Sequence, residues 1–227
     1  MRVSGINSVS EALKAGKVNK IYFDPDFKSE RLKKLIQTAK KAGVPVYAVK
    51  NIENKIVAEV SPIKYRDVDY VAEKAVRQGG FLLLLDSVQD PQNLGAVIRN
   101  AVFFGCSGVI IPKRRSAQIN ETVVKVSAGA VFHADIARVA NLANTIKNLK
   151  KQGFHAVGAE IGGEKIENAF MGPPLAIAVG GEDRGLSNPV KKQCEEIVEI
   201  PGYGNVGSLN LSSASAVLMY EFRRRLK

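Results

Sequence analysis

From Phe81 onward the chain repeats one unit: a short stretch that is apolar at successive positions, a segment with helical periodicity, and often a glycine to close it. Successive residues of a strand point to opposite faces, so a run such as Phe81-Leu-Leu-Leu-Leu85 must be covered on both sides. Parallel sheets between two layers of helices meet that demand. The segments Phe81–Asp86, Gly108–Pro112, Asp135–Val139, His155–Glu160, Leu175–Val179 and Ile197–Ile200 read as strands. Between and after them Asn93–Phe104, Asn120–Ala128, Leu142–Gln152, Asn188–Glu195 and Ser208–Arg225 read as helices. The expectation is a doubly wound parallel α/β sheet.

The first third is different. Residues 1–78 hold 16 Lys and Arg against 9 Asp and Glu, a net +7; the other 149 residues hold 17 against 13, a net +4. The pattern there is helix, strand, helix, strand. Ser8 is expected to cap Val9–Ala15 with Glu11 as its capping-box partner, and Ser29–Ala42 is a helix ended by Gly43. Lys20–Asp24 and Val44–Val49 are the strands, and Tyr22, Phe23, Phe27, Tyr47, Tyr65 and Tyr70 are expected mostly in a small core. Pro62–Gly80 reads as a charged hinge, giving a small N-terminal α/β domain over 1–78 and a second domain over 79–227.

A formal charge of +11 makes an anionic partner reasonable. The longest apolar run is too short to span a bilayer. Met1-Arg-Val-Ser-Gly-Ile-Asn is followed by no apolar h-region, so it does not read as a signal peptide. Cys106 and Cys194 stand alone, so a reduced cytoplasmic protein without a disulfide framework is expected, and with only His133 and His155 beside them no metal site is expected. The run Arg223-Arg-Arg225 reads as a solvated helix end.

Ligands of such sheets gather beyond the carboxyl ends of the strands, where three loops have unusual composition. In Asp86–Arg99, Asp90-Pro91 sets a turn, Asn93 is placed to cap a helix, and Arg99 lies nearly two turns further on. By composition Arg99 could equally be a solvated helix residue. In Val179-Gly-Gly-Glu-Asp-Arg-Gly-Leu-Ser187 the paired glycines allow close backbone approach, and Glu182 sits at the strand's mouth; an ordinary glycine turn fits as well. In Ile200–Asn210 the spacing Gly202-x-Gly204-x-x-Gly207 matches a dinucleotide fingerprint. That fingerprint needs a second strand and an acidic residue about 20 positions on. The sequence stops at Lys227, so a nicotinamide oxidoreductase is disfavoured.

Together the three loops resemble the SpoU class of RNA ribose 2′-O-methyltransferases. The resemblance rests on Asp90-Pro-Gln-Asn-Leu-Gly-Ala-x-x-Arg99, Gly180-Gly-Glu-Asp-Arg-Gly-Leu-Ser187, and Ile200-Pro201 followed by Ser208-Leu-Asn-Leu-Ser212. Gly5-Ile-Asn-Ser-Val-Ser-Glu-Ala-Leu13 is similar to the opening of the small substrate-binding domain that precedes the catalytic domain in many members. Gly202 departs from the bulkier apolar residue common there.

The resemblance implies an S-adenosylmethionine enzyme whose parallel-sheet domain carries a trefoil knot, and a homodimer joined through that domain. It places the donor contacts on Gly180, Ile200 and Leu209, and the catalytic set on Asn93, Arg99, Glu182, Ser208 and Asn210. The apolar stretch Ala214, Ala216, Val217, Leu218 and Met219 of the final helix is the expected dimer surface. A guanidinium stays protonated, so Arg99 suits phosphate clamping and support of a developing alkoxide better than proton removal. Asn93 and Asn210 are expected to hold the loops in shape. The basic N-terminal domain favours ribosomal RNA of the 23S type over tRNA as partner, with guanosine as the methylated nucleoside. A tRNA (guanosine-2′-O) enzyme and a non-catalytic RNA-binding protein are the alternatives.

Overall fold

The computed structural model describes residues 1–52, 54–182 and 184–226. They form two compact units, Met1–Ile63 with Gln118–His133, and Lys64–Ala117 with Ala134–Lys227.

The first unit contains β1 (Arg2–Ser4), α1 (Ile6–Lys14), β2 (Val18–Phe23), α2 (Glu30–Lys41), β3 (Val46–Ala48) and β4 (Ile56–Val60). Its sheet runs β1-β4-β2-β3, antiparallel except for the β2–β3 pair. The expected strands and the α2 helix are present, with Ser29 capping α2 as the sequence suggests. The β1 and β4 strands go beyond the expected pattern. The first helix starts earlier than expected: Gly5, at φ 88°, is its N-cap, and Ser8 is buried inside it, where its hydroxyl donates to Val124 O at 3.5 Å. Glu11 is not a capping partner but faces Lys14 and His133, at 2.7 and 2.8 Å. The core is aliphatic, with Val9, Ala12, Ile21, Ala39, Ile56 and Ala58 fully enclosed. The aromatics expected there lie half-buried or exposed instead; Tyr22 and Tyr47 stack on each other at 5.6 Å.

A distant segment completes this unit. The short helix α5 (Glu121–Val126), capped by Asn120, and the 3₁₀ turn Ala130–His133 pack on α1 and β1. Val123 and Val124 are buried, and Gly129 approaches so closely that a Cβ there would lie 2.7 Å from that of Glu11.

The second unit is built on β5 (Phe81–Asp86), whose four leucines are wholly removed from solvent. Burial of each such side chain stabilises by roughly 1.5–3 kcal/mol. Around it stand β6 (Gly108–Pro112), β7 (Ile136–Val139), β8 (His155–Lys165), β9 (Leu175–Gly180) and β10 (Glu196–Glu199), all parallel, in the order β10-β8-β9-β5-β6-β7. The helices are α3 (Val68–Gln78), α4 (Pro91–Phe103), α6 (Leu142–Lys151), α7 (Asn188–Lys191) and α8 (Leu211–Arg225). This is the expected parallel α/β sheet.

The compact units divide the chain differently from the boundary expected after residue 78. Val71, Ala72 and Ala75 of α3 share a core with Leu82, Leu84 and Ile110, so this helix belongs to the second unit. Its charged positions hide an apolar stripe at i, i+3, i+4 and i+7 (Val68, Val71, Ala72, Ala75). No helix among the described residues is long and apolar enough to cross a membrane.

The end of α8 is not solvated as expected. Arg223 donates to the carbonyls of Phe104 and Gly105, at 2.7 and 2.6 Å, and Arg225 donates to those of Ala169 and Ile166. Glu221 accepts from Arg224 and Arg225, at 2.7 and 2.6 Å. The Arg224 hydrogen bond, helped by Arg225 and opposed by desolvation, holds the Glu221 carboxyl down to about 2 from its ordinary 4.5. A carboxyl lowered on folding contributes stability that is complete above about pH 4.5 and lost as the pH falls through about 2. Glu221→Gln should therefore lower the unfolding free energy by about 1–2 kcal/mol at pH 7 in urea titrations. The gap to the unsubstituted chain should close near pH 2; a gap that persists there would contradict the ion-pair account.

Candidate active site

The site lies beyond the carboxyl ends of β5, β8, β9 and β10, where the three loops meet. Asp86 ends β5 and is buried, with Oδ2 accepting from Ser187 N at 2.8 Å and its carbonyl accepting from Gly181 N at 2.9 Å. Glu160, on β8, accepts from Leu186 N at 2.9 Å and pairs with Lys191 at 3.1 Å. Two carboxylates thus pin the second loop from the strands on either side of β9. Neither carried a signal in the sequence beyond ending or extending a strand.

The glycines of that loop are there for space. A Cβ on Gly180 would overlap the backbone of Gly185 and Leu186, one on Gly181 would come within 2.8 Å of Ser87 O, and Gly185 has φ 60° with Glu160 Oε1 at 2.5 Å from any Cβ. Asp183, part of the same motif, lies outside the described residues.

On the first loop the cap differs from expectation. Asp90 is the N-cap of α4, accepting from Gln92 N and Asn93 N at 3.0 and 3.3 Å, and Pro91 opens the helix. Proline has no N–H to satisfy and its φ suits the first helical position, so the helix starts two residues before Asn93. Asn93 then sits in the first turn and is not the cap. On the third loop the helix starts later than expected, at Leu211; Asn210 caps it, accepting from Ser213 N at 2.8 Å. Ser208 and Leu209 remain in the exposed loop. Glu182 accepts from Leu211 N at 3.4 Å, joining the second loop to the third, and Asn100 donates to Ser212 O at 2.9 Å, joining α4 to α8.

Two hollows result. One, about 490 Å³, is lined by Gly180, Ile200 and Leu209, the three positions expected to touch a donor, and by Glu182 and Ser208. Its walls combine Val179 and Val198 with exposed backbone and the carboxylates of Glu160, Glu182 and Glu199. Walls that are about half apolar, with three carboxylates and the cation Arg184, suit a small ligand having both apolar and charged parts. The other hollow, about 570 Å³, is lined by Asp90, Asn93, Arg115 and Glu182, and shares Gly181, Glu182, Arg184, Gly185 and Leu211 with the first. A second reactant there would meet the first across Glu182. Arg99 and Asn210 line neither hollow; Arg99 is exposed on α4. Arg115, in a left-handed conformation at φ 57°, is a lining residue that sequence reasoning passed over.

Fold and site together define a parallel α/β protein in which two neighbouring hollows of small-molecule size meet across one glycine-rich loop. The particular kind follows from comparison with known proteins. The SpoU rRNA Methylase family matches residues 80–220, and the family of RNA 2′-O ribose methyltransferase substrate-binding domains matches residues 2–65. A tRNA/rRNA methyltransferase of Archaeoglobus fulgidus, itself uncharacterised, is 48% identical over 225 residues, covering 99% of each chain. A protein of Bacillus subtilis assigned to the TrmH family of tRNA/rRNA methyltransferases is 35% identical over 98% of this chain and 95% of its own. Among solved structures, the SpoU methyltransferase AviRb of Streptomyces viridochromogenes, in complex with AdoMet, superposes with a TM-score of 0.84 at 25% identity, covering 100% of this chain and 90% of that one. The chain belongs to the SpoU family of RNA methyltransferases.

Proposed function

We propose that the chain transfers a methyl group from S-adenosylmethionine to a ribose 2′-hydroxyl of RNA, at a guanosine of 23S-type ribosomal RNA, in the cytoplasm. The observation that carries this reading is the convergence of Gly180, Ile200, Leu209, Glu182 and Ser208 on one hollow, with Asn93 and Glu182 on the hollow beside it. The donor, when bound, supplies an electrophilic methyl on a sulfonium. Gly180, Ile200 and Leu209 hold it, largely through a backbone that the glycines leave bare. Glu182 stands at the junction, Ser208 lines the donor side, and Asn210 keeps the third loop in register by capping α8. Arg99 receives the target phosphate from the solvent side and, as a fixed cation, favours loss of the 2′-hydroxyl proton to water. The trefoil knot belongs to this reading, as does the N-terminal domain's role in gripping RNA.

Calorimetric titration with S-adenosylmethionine, followed by mass mapping of methylated ribose in rRNA and tRNA from cells lacking the protein, tests the reading. Loss of one 2′-O-methylguanosine from 23S-type RNA is the expected result. Loss from tRNA would move the substrate class, and failure to bind the donor would leave an RNA-binding protein without this activity.

The reading also includes a homodimer. Leu218 and Met219 are buried within the chain, which removes them from the surface expected for pairing. Phe103, 81% exposed, and Tyr220, 56% exposed, flank Phe104 in an aromatic cluster spanning α4 and α8. Clustered exposed aromatics favour a partner surface. Light scattering should give twice the chain mass of 24.5 kDa, and Phe103→Lys should return the monomer. A monomer before substitution, at micromolar concentration, would rule this interface out.

A further inference from the structure

The first unit has a hollow of its own, about 390 Å³, beside the start of α1. Arg31, Lys55 and Lys125 line it together with Asn7 and Phe27, and no carboxylate among the described residues does. The cations come from three separate stretches. Lys125 is on α5, more than 55 residues beyond the part of the chain matched as a substrate-binding domain. It reaches the hollow because α5 is packed on this unit through Ser8 and Val124. Arg31 is steered by Asn7, to whose Oδ1 it donates at 2.8 Å, and Lys55 is anchored by Asp24 at 3.1 Å while keeping further N–H groups free. The first turn of α1 has no side-chain cap, so its N–H groups add to the positive potential of the hollow. Phe27, 39% exposed, offers an aromatic face at the rim.

We propose that this hollow is a docking site for a single-stranded RNA segment, with Arg31, Lys55 and Lys125 on its phosphodiesters and Phe27 stacked on a base. The inference rests on the reading of the chain as an RNA methyltransferase and adds where, outside the reaction site, the RNA is held. Arg31 and Lys125, with Lys55 held from behind by Asp24, favour an anion, and an adjacent aromatic face selects one that carries a ring, which free phosphate lacks. The site is joint: a segment lying in the catalytic half of the sequence supplies one of its cations.

The test uses the full chain and a fluorescent single-stranded RNA of mixed sequence, about 12 nucleotides long, titrated at several salt concentrations. Each phosphate contact on a single strand contributes about 0.7 to the slope of log affinity against log salt. Arg31→Ala with Lys125→Ala should weaken binding about tenfold or more and lower the slope by about 1.4. Phe27→Ala, or Phe27→Leu if the first folds poorly, should weaken binding roughly fivefold or more with no change of slope. Lys33→Ala with Lys34→Ala, on the exposed face of α2, should alter neither quantity appreciably. Inorganic phosphate alone at matched ionic strength should show no calorimetric binding. Unchanged affinity and slope in the hollow variants, equal losses in the α2 control, or phosphate binding with RNA binding unaffected would each overturn the proposal. S-adenosylmethionine affinity, measured on the same samples, should not move. Its absence in the unsubstituted chain would count against the methyltransferase reading and leave the RNA site standing on its own result.

Discussion

Arg99→Ala should lower methyl transfer by about 10²–10³-fold, the usual cost of removing one group that stabilises developing charge, while S-adenosylmethionine affinity stays within about twofold. The two effects separate because Arg99 is on α4, exposed, and absent from the lining of the hollow proposed for the donor. On the proposed reading its partner is an RNA phosphate. Arg99→Lys should fail nearly as badly, since an ammonium cannot make the planar two-point contact that a guanidinium makes with phosphate. Single-turnover assays paired with calorimetry of the donor would show this. Parallel loss of donor affinity and activity would instead put Arg99 within reach of the donor.

Gly180→Ala should have the opposite signature. Its Cβ would overlap the Gly185 carbonyl and the Leu186 N–H, both backbone, so neither can swing aside as a side chain could. The second loop would have to open, and with it the bridge between Gly181 and Gly185 and the bond from Leu186 N to Glu160. Donor affinity should fall by about 100-fold or more, equivalent to roughly 3 kcal/mol of loop strain and lost contacts. The fold should survive, because the strand below position 180 is untouched and the overlap is at the loop. Circular dichroism close to that of the unsubstituted chain, with donor binding lost, is the expected pair of results. Undiminished donor affinity would remove the second loop from the donor site.

The two units were unequally legible in sequence. In the second, strands such as Phe81–Asp86 and Leu175–Gly180 are buried at every position, and no other element reads as a run that short and that apolar. In the first, β1 has three residues and β4 alternates buried and half-buried positions over five, too short to stand out. The caps show how close rivals are settled. Asp90 and Asn93 were both able to open α4, and Pro91 decides between them because its ring fixes φ at the first helical position. The close backbone approach at Gly180 and Gly181 was readable, since only glycine fits there. Asp86, Glu160 and Arg115 were not, because a carboxylate at a strand end or an arginine in a loop looks the same in sequence whether it binds solvent or a backbone amide.

By itself the sequence determined the parallel sheet, its strand segments and the glycine-bearing loops at its carboxyl edge, because burial on both faces and glycine's freedom are local properties of the chain. Only the tertiary structure decided where residues 118–133 belong, that Arg223 and Arg225 spend their donors on carbonyls of Phe104, Gly105, Ile166 and Ala169, and that Lys125 faces Arg31 and Lys55 around one hollow. Those outcomes join groups dozens of residues apart. A polar side chain can be satisfied by water or by a distant backbone group at similar net free energy, and packing alone selects between them.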